Sequence, residues 1–154
     1  MRILTALAFT FVANSMAVAQ KVDVDDDIMT IDGQPICKLE KVRGGGDWDF
    51  KVLSLEGKAL IHLNGRDYID ESQISEANKN GRVFYYEWTF LESNAKAETN
   101  GLTQKMLAKK LNQARLIKDG AIDPDAEKEF VSIEGMPHSD RKRQLDLPVI
   151  IIQR

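Results

Sequence analysis

The sequence predicts an α+β domain, in which an antiparallel, mainly meandering sheet of five to seven strands carries one long and one short helix from the C-terminal half on one face. Apolar and polar residues alternate along several segments before residue 91. Glycine-containing turns separate these segments, and apolar residues recur three or four positions apart after residue 99. The change in period from two to about 3.6 predicts strands first and helices afterwards.

An export signal is predicted ahead of this domain in residues 1–19. Arg2 precedes an apolar run, and Ala17-Val18-Ala19 matches an A-x-A cleavage site. The run is shorter than the roughly 20 residues that cross a bilayer. We therefore expect cleavage between Ala19 and Gln20 and a periplasmic or extracellular product. Residues 20–154 have the size of a single domain, and no later segment is predicted to span a membrane.

Charge argues against one class of partner. The chain has a formal charge of −3 at pH 7, and loss of Arg2 with the signal makes it −4. Nucleic-acid binding would require a basic face, so no nucleic-acid partner is expected. Residues 20–27 carry four aspartates, but their spacing places no glycine where a calcium-binding EF-hand loop needs one. This stretch is predicted to be a solvated acidic tail.

The region 28–91 is predicted to consist mainly of β-hairpins. Asp32-Gly33 and Glu56-Gly57 lie between apolar runs, which is the pattern of tight hairpin turns. The predicted hairpins are 28–31 with 34–42 and 48–55 with 58–64, joined by a glycine-rich loop. Asn64-Gly65 is predicted to turn the chain before a short strand at 67–69, and 70–79 is expected to form at most one helical turn.

The strand predicted at 83–91 organises the core. Successive side chains of a strand point to opposite faces, so one face of this strand carries only Phe84, Tyr86, Trp88 and Phe90. Rings of this size each remove about 150–250 Å² from water when buried. Burial in the core is the expected role, and the alternative is an exposed row that stacks on sugar rings.

Two helices are predicted within the region 99–134, at 102–118 and at 124–133. Leu107, Leu111 and Ala114 form the apolar stripe of the first, and Asp123-Pro124 resembles the capped start of the second. Residues 136–146 are predicted to be a charged, solvated loop. The β-branched residues within 147–153 predict a terminal strand.

The sequence offers few residues for catalysis. It contains one cysteine, Cys37, and two histidines, His62 and His138, without a known nucleotide, metal or nucleophile motif. We predict no catalytic, cofactor-binding or metal-binding residues and no cofactor. Cys37 is expected to be a buried, inert thiol, and the alternatives are an intermolecular disulfide or a nucleophile paired with one of the histidines.

A binding role is therefore the preferred hypothesis. The candidate contact surface consists of Tyr85, Glu87 and Thr89, on the second face of the central strand, together with His62. We predict a non-catalytic binding or assembly module of the cell envelope or exterior, with a protein partner. The alternatives are a small secreted hydrolase or enzyme inhibitor whose site forms only in three dimensions, and a carbohydrate-binding module that uses the Phe84/Tyr86/Trp88/Phe90 row.

Overall fold

The computed structural model describes residues 20–43 and 48–147. Within these ranges seven strands form one antiparallel meander in which each strand pairs with the next along the chain. The strands are β1 (Val22–Asp25), β2 (Ile28–Ile31), β3 (Gln34–Arg43), β4 (Trp48–Leu53), β5 (Ala59–Ile69), β6 (Arg82–Phe90) and β7 (Lys96–Asn100). The predicted signal, most of the glycine-rich loop and nearly all of the predicted terminal strand lie outside the described residues.

The first predicted hairpin forms as expected. β2 and β3 pair with Met29 opposite Cys37. Asp32 and Gly33 both have positive φ angles, of 51° and 81°. A two-residue turn with positive φ at both positions matches the right-handed twist of the strands on either side. The second hairpin, β4 with β5, forms as well, with an irregularity between Val52 and Leu53.

The predicted turn at Asn64-Gly65 is wrong. β5 runs without interruption from Ala59 to Ile69, and Gly65 lies opposite Tyr86 of β6. A Cβ atom at Gly65 would lie 3.0 Å from Cζ of Phe84. Glycine is therefore needed here for the close approach of a ring and not for a turn. The 3-10 turn at Glu71–Gln73 agrees with the single turn predicted within 70–79.

The aromatic row of β6 lies in the core. Trp88 and Phe90 are 0% exposed and Tyr86 is 3% exposed, while Phe84 is half-buried. The Trp88 ring lies between Leu63 on β5 and Ala97 on β7. Its Nε1–H group donates a hydrogen bond of 2.9 Å to Oγ1 of Thr99. The largest ring of the core thus has its one polar group satisfied.

Two helices cover this inner face of the sheet. They are α1 (Gln104–Gln113), which Thr103 caps, and α2 (Pro124–Glu134), which Asp123 caps. Leu107 and Leu111 of α1 are buried. Phe130 of α2 packs with its centroid 4.8 Å from that of Trp88. The sheet and its helices confirm the predicted α+β class.

The first helix is shorter than the predicted 102–118. Arg115 takes a left-handed conformation with φ of 52°. The chain then forms a small hairpin of β8 (Ile117–Lys118) and β9 (Ala121–Ile122) around Asp119-Gly120. Asp119 and Gly120 both have positive φ angles, of 50° and 76°, and form a tight hairpin turn. The residues predicted to end the helix therefore belong to this hairpin.

Three further elements differ from the predictions. The acidic stretch contains β1, in which Val22 and Val24 pack against the core. Residues 96–100 form the edge strand β7 and do not belong to a helical region. The predicted charged loop is a third helix, α3 (Pro137–Leu145). The last two differences shape the outer face of the sheet.

Replacement of Trp88 by alanine is expected to lower the free energy of unfolding by about 3–5 kcal/mol, because it leaves a cavity and an unpaired Thr99 hydroxyl. Urea unfolding followed by circular dichroism measures this loss. The matched control is Trp48→Ala: Trp48 is 44% exposed, and its ring contacts the Lys41 ammonium at 4.2 Å from the centroid. Equal losses in the two variants would contradict the position of Trp88 in the core.

Candidate functional site

The outer face of the sheet holds the predicted contact surface. Residues directly opposite each other in adjacent antiparallel strands point to the same face. His62 of β5 lies opposite Thr89 of β6, and both side chains are half-buried. The row across β3 to β7 is Glu40, Lys51, His62, Thr89 and Lys96. The sheet register thus brings together two of the four predicted contact residues.

Glu87 lies beside this row on the same face. Its side chain is 18% exposed, and its Oε1 atom lies 3.3 Å from Nζ of Lys96. Asn64 on β5 and Glu98 on β7 lie opposite it. We call the surface formed by Lys51, His62, Glu87, Thr89 and Lys96 the open patch. It presents hydrogen-bond donors, acceptors and both signs of charge.

Tyr85, the fourth predicted residue, is not available on this surface. It is 6% exposed, because the first turn of α3 covers it. The His138 ring stacks on the Tyr85 ring with centroids 4.6 Å apart and an interplanar angle of 15°. Tyr68 meets Tyr85 edge-on at 6.0 Å, and its hydroxyl lies 3.4 Å from Nδ1 of His138. Burial raises the pKa of both tyrosines.

The chain reaches the outer face by passing around the edge strand β7. Helix α2 packs on the inner face and ends at Gly135, which has φ of 58° and ψ of −149°, a conformation that is essentially restricted to glycine. The Gly135 carbonyl accepts a hydrogen bond of 2.9 Å from the backbone N–H of Glu98. This bond fixes the point at which the chain crosses from one face to the other.

The start of α3 is capped by a residue from another element. Met136, at the N-cap position, makes no side-chain hydrogen bond. The Glu98 carboxylate instead accepts bonds of 2.8 Å and 2.9 Å from the backbone N–H groups of His138 and Ser139. It also accepts a bond from the Ser139 hydroxyl. Glu98 is 1% exposed, so the helix N-terminus stabilises a buried negative charge.

An ion pair holds the middle of α3. Arg141 donates two hydrogen bonds to Asp70, of 2.7 Å from Nε and 3.1 Å from Nη2. Asp70 also accepts a bond of 2.6 Å from the Ser72 hydroxyl. The Arg141 guanidinium holds the pKa of Asp70 well below its usual range, with help from Ser72. Asp70 raises the pKa of Arg141 in return.

We call the surface beneath α3 the seat; it is formed by Tyr68, Asp70, Tyr85 and Glu98. No sequence pattern directly indicates this seat, because α3 lacks an apolar stripe and its contacts join positions about 40 and 70 residues apart. One local signal was present: Pro137 stands at the first helical position.

Among the described residues, Cys37 is not placed to act as a nucleophile with His62 or His138 as its base. Cys37 is 0% exposed on the inner face, where burial raises its pKa to about 12. His62 lies on the opposite face, so these two side chains cannot meet. The Ser139 hydroxyl donates to Glu98, while the His138 ring contacts the two tyrosines.

Three other features do not occur in residues 20–43 and 48–147: a metal-binding cluster, an open aromatic row and a membrane-spanning helix. No group of three or more His, Cys, Asp or Glu side chains there is placed to hold a metal ion. The buried rings of Tyr86, Trp88 and Phe90 offer no open surface for a sugar. None of the described helices has the length and apolar character needed to span a bilayer.

Comparison of the chain with protein-family models, curated proteins and solved structures gives no significant match in any of the three.

Docking of α3 is expected to weaken as the pH falls below about 6.5, the ordinary pKa of histidine. Burial lowers the pKa of His138, and Glu98 opposes this shift only in part. Protonation is thus disfavoured in the docked state, so docking is strongest above this pH and is lost as the pH falls through the lowered pKa. The NMR chemical shifts of the Tyr85 ring protons, measured as a function of pH, report whether the His138 ring is stacked on Tyr85.

His138→Phe keeps an aromatic ring over Tyr85 but removes the titrating group, so it should abolish this pH response. His62→Gln should retain it. A response that survives in His138→Phe would assign the effect to another group.

Glu98→Gln is expected to undock α3, because an amide cannot accept all the bonds that the carboxylate accepts and carries no charge for the helix N-terminus. Loss of hydrogen bonds to a charged group costs about 1.5–3 kcal/mol. Hydrogen exchange of the α3 amides measures this loss as faster exchange. Glu87→Gln, on the same face and opposite Glu98 in register, should leave the α3 amides protected; equal effects would contradict the capping role.

Proposed function

We propose that this protein is a non-catalytic binding or assembly module of the cell envelope or exterior, and that it contacts a partner protein through the outer face of its sheet. Two features support this function: the predicted export of the chain, and the polar outer face of the sheet, part of which residues 20–43 and 48–147 leave uncovered.

The observation that carries the proposal is the difference between the two faces of the sheet: one is apolar and packed, and the other is polar. The inner face packs against α1 and α2 and is apolar. On the outer face, the half-buried polar side chains of Lys51, His62 and Thr89 stand side by side on three adjacent strands. A hydrogen-bonded sheet fixes the backbone positions from which these side chains project, so a partner need not order the backbone when it binds.

The chemistry of this face favours a protein partner, although the face is smaller than a standard interface. Five strands at about 4.8 Å spacing span roughly 19 Å, and nine residues of β6 extend about 30 Å. The outer face therefore offers roughly 600 Å², part of which α3 covers, against about 800 Å² per partner in a standard protein interface. Its mixed charges suit the polar contacts of a protein surface better than the uniform negative charge of nucleic acid.

The proposal is tested by photo-cross-linking in the native cell. A photoreactive amino acid at Thr89, in the open patch, is expected to capture a defined partner. The same amino acid at Lys109, an exposed position of α1 on the helical side, serves as the matched control. Capture at Lys109 and not at Thr89, or no capture at either position, would overturn the assignment of the outer face.

A further inference from the structure

The seat of α3 is a small site with a defined chemistry. Two carboxylates, Asp70 and Glu98, are 3% and 1% exposed beneath the helix. Two tyrosines, Tyr68 and Tyr85, lie next to them and to each other. What fills the site is a helix start that supplies N–H groups to Glu98, a planar ring to Tyr85 and a guanidinium to Asp70.

The segment that fills the seat is held by few apolar contacts. No residue of α3 is buried, and Leu145 at its end is 39% exposed. Its attachments include the Glu98 cap, the contacts of His138 with Tyr68 and Tyr85, and the bonds of Arg141 to Asp70 and Ser72. A nine-residue helix is marginal on its own in water. α3 can therefore leave without opening the core between the sheet and α1.

The seat without α3 would be a strong acceptor for a ligand of the same chemistry. When α3 leaves, Glu98 loses the N–H donors of His138 and Ser139, and Asp70 loses the guanidinium of Arg141. Both carboxylates are then open to charge-assisted hydrogen bonds from a ligand. His138 and Arg141 are three residues apart, so both project from one face of a helix. A basic helical segment with a ring and an arginine at this spacing offers the seat what α3 offers.

The seat and the open patch are continuous. Every second residue of β6 points to the outer face, at intervals of about 6.6 Å. These residues include Tyr85, Glu87 and Thr89. A partner that lies along β6 over the open patch reaches the first turn of α3. Taking its place would add the area under α3 to a surface that is small for a stable interface.

We infer that the seat of α3 binds a basic, arginine-bearing helical segment of the partner protein, and that α3 is the built-in competitor for this site. The inference rests on the proposed function, since it names the partner chemistry for the same face. A tethered competitor acts at an effective concentration in the millimolar range, so the site opens only to a segment that binds well or when α3 is weakened.

The test uses the full chain and a fluorescent peptide with the sequence of residues 136–146, blocked at both ends. Arg141→Ala removes the ion pair to Asp70 and weakens the competitor. By fluorescence anisotropy, this variant is expected to bind the peptide at least about tenfold more tightly than the unchanged protein. A peptide that carries the same Arg141→Ala change should lose this gain.

The matched control is Lys142→Ala, which removes an equal charge from an exposed neighbour of Arg141. It should bind the peptide no better than the unchanged protein. Adding Asp70→Asn to Arg141→Ala removes the negative charge and one of the two acceptor oxygens at this position of the seat, and it should abolish the gain. Circular dichroism of each variant verifies that the sheet remains folded.

Three results would overturn the inference. One is the absence of tighter binding in Arg141→Ala while hydrogen exchange shows α3 released. Another is equal binding by Lys142→Ala. The third is equally tight binding of the peptide that carries Arg141→Ala, because the seat would then not require the guanidinium. Failure of Thr89 cross-linking alongside successful peptide binding would instead count against the open patch and leave the seat in place.

Discussion

The burial of Trp88 is the constraint on which the rest of this structure depends. The ring needs apolar neighbours on both sides and a partner for its N–H group. Leu63 and Ala97 flank it in the adjacent strands, and Thr99 accepts its hydrogen bond. These contacts fix β6 between β5 and β7 and turn its aromatic row towards the helices. Because successive side chains of a strand point to opposite faces, this orientation places Tyr85, Glu87 and Thr89 on the outer face.

Strand β7 connects the two faces of the sheet because its side chains contact Trp88 on the inner face and α3 on the outer face. Ala97 and Thr99 point inwards to Trp88, while Glu98 between them points outwards and caps α3. The backbone N–H of Glu98 also holds Gly135, where the chain passes around the edge. A five-residue strand with little hydrophobic character thus positions the core tryptophan, the crossing point and the start of α3.

Sequence reasoning succeeds here where the cause is local. Asp32-Gly33 specifies its hairpin through the φ angles of two adjacent residues. Asp123-Pro124 specifies the start of α2 through the side-chain cap of Asp123 and the restricted φ of proline. It fails where the cause is tertiary: Gly65 is needed because Phe84 lies against it, 19 residues away. Three of the four predicted contact residues lie on the open patch because strand alternation is local, whereas the cover over Tyr85 comes from a distant helix.

Helix α3 shows why a charged segment can be structural and replaceable at once. Its sequence is too polar to pack by the hydrophobic effect, so its position depends on partners contributed by other elements: a cap from β7, a ring from β6 and a carboxylate beyond β5. Such contacts are directional, and a helix of matching chemistry from another protein satisfies them equally well. No residue of α3 is buried, so we expect the core between the sheet and α1 to keep its packing whichever helix occupies the seat.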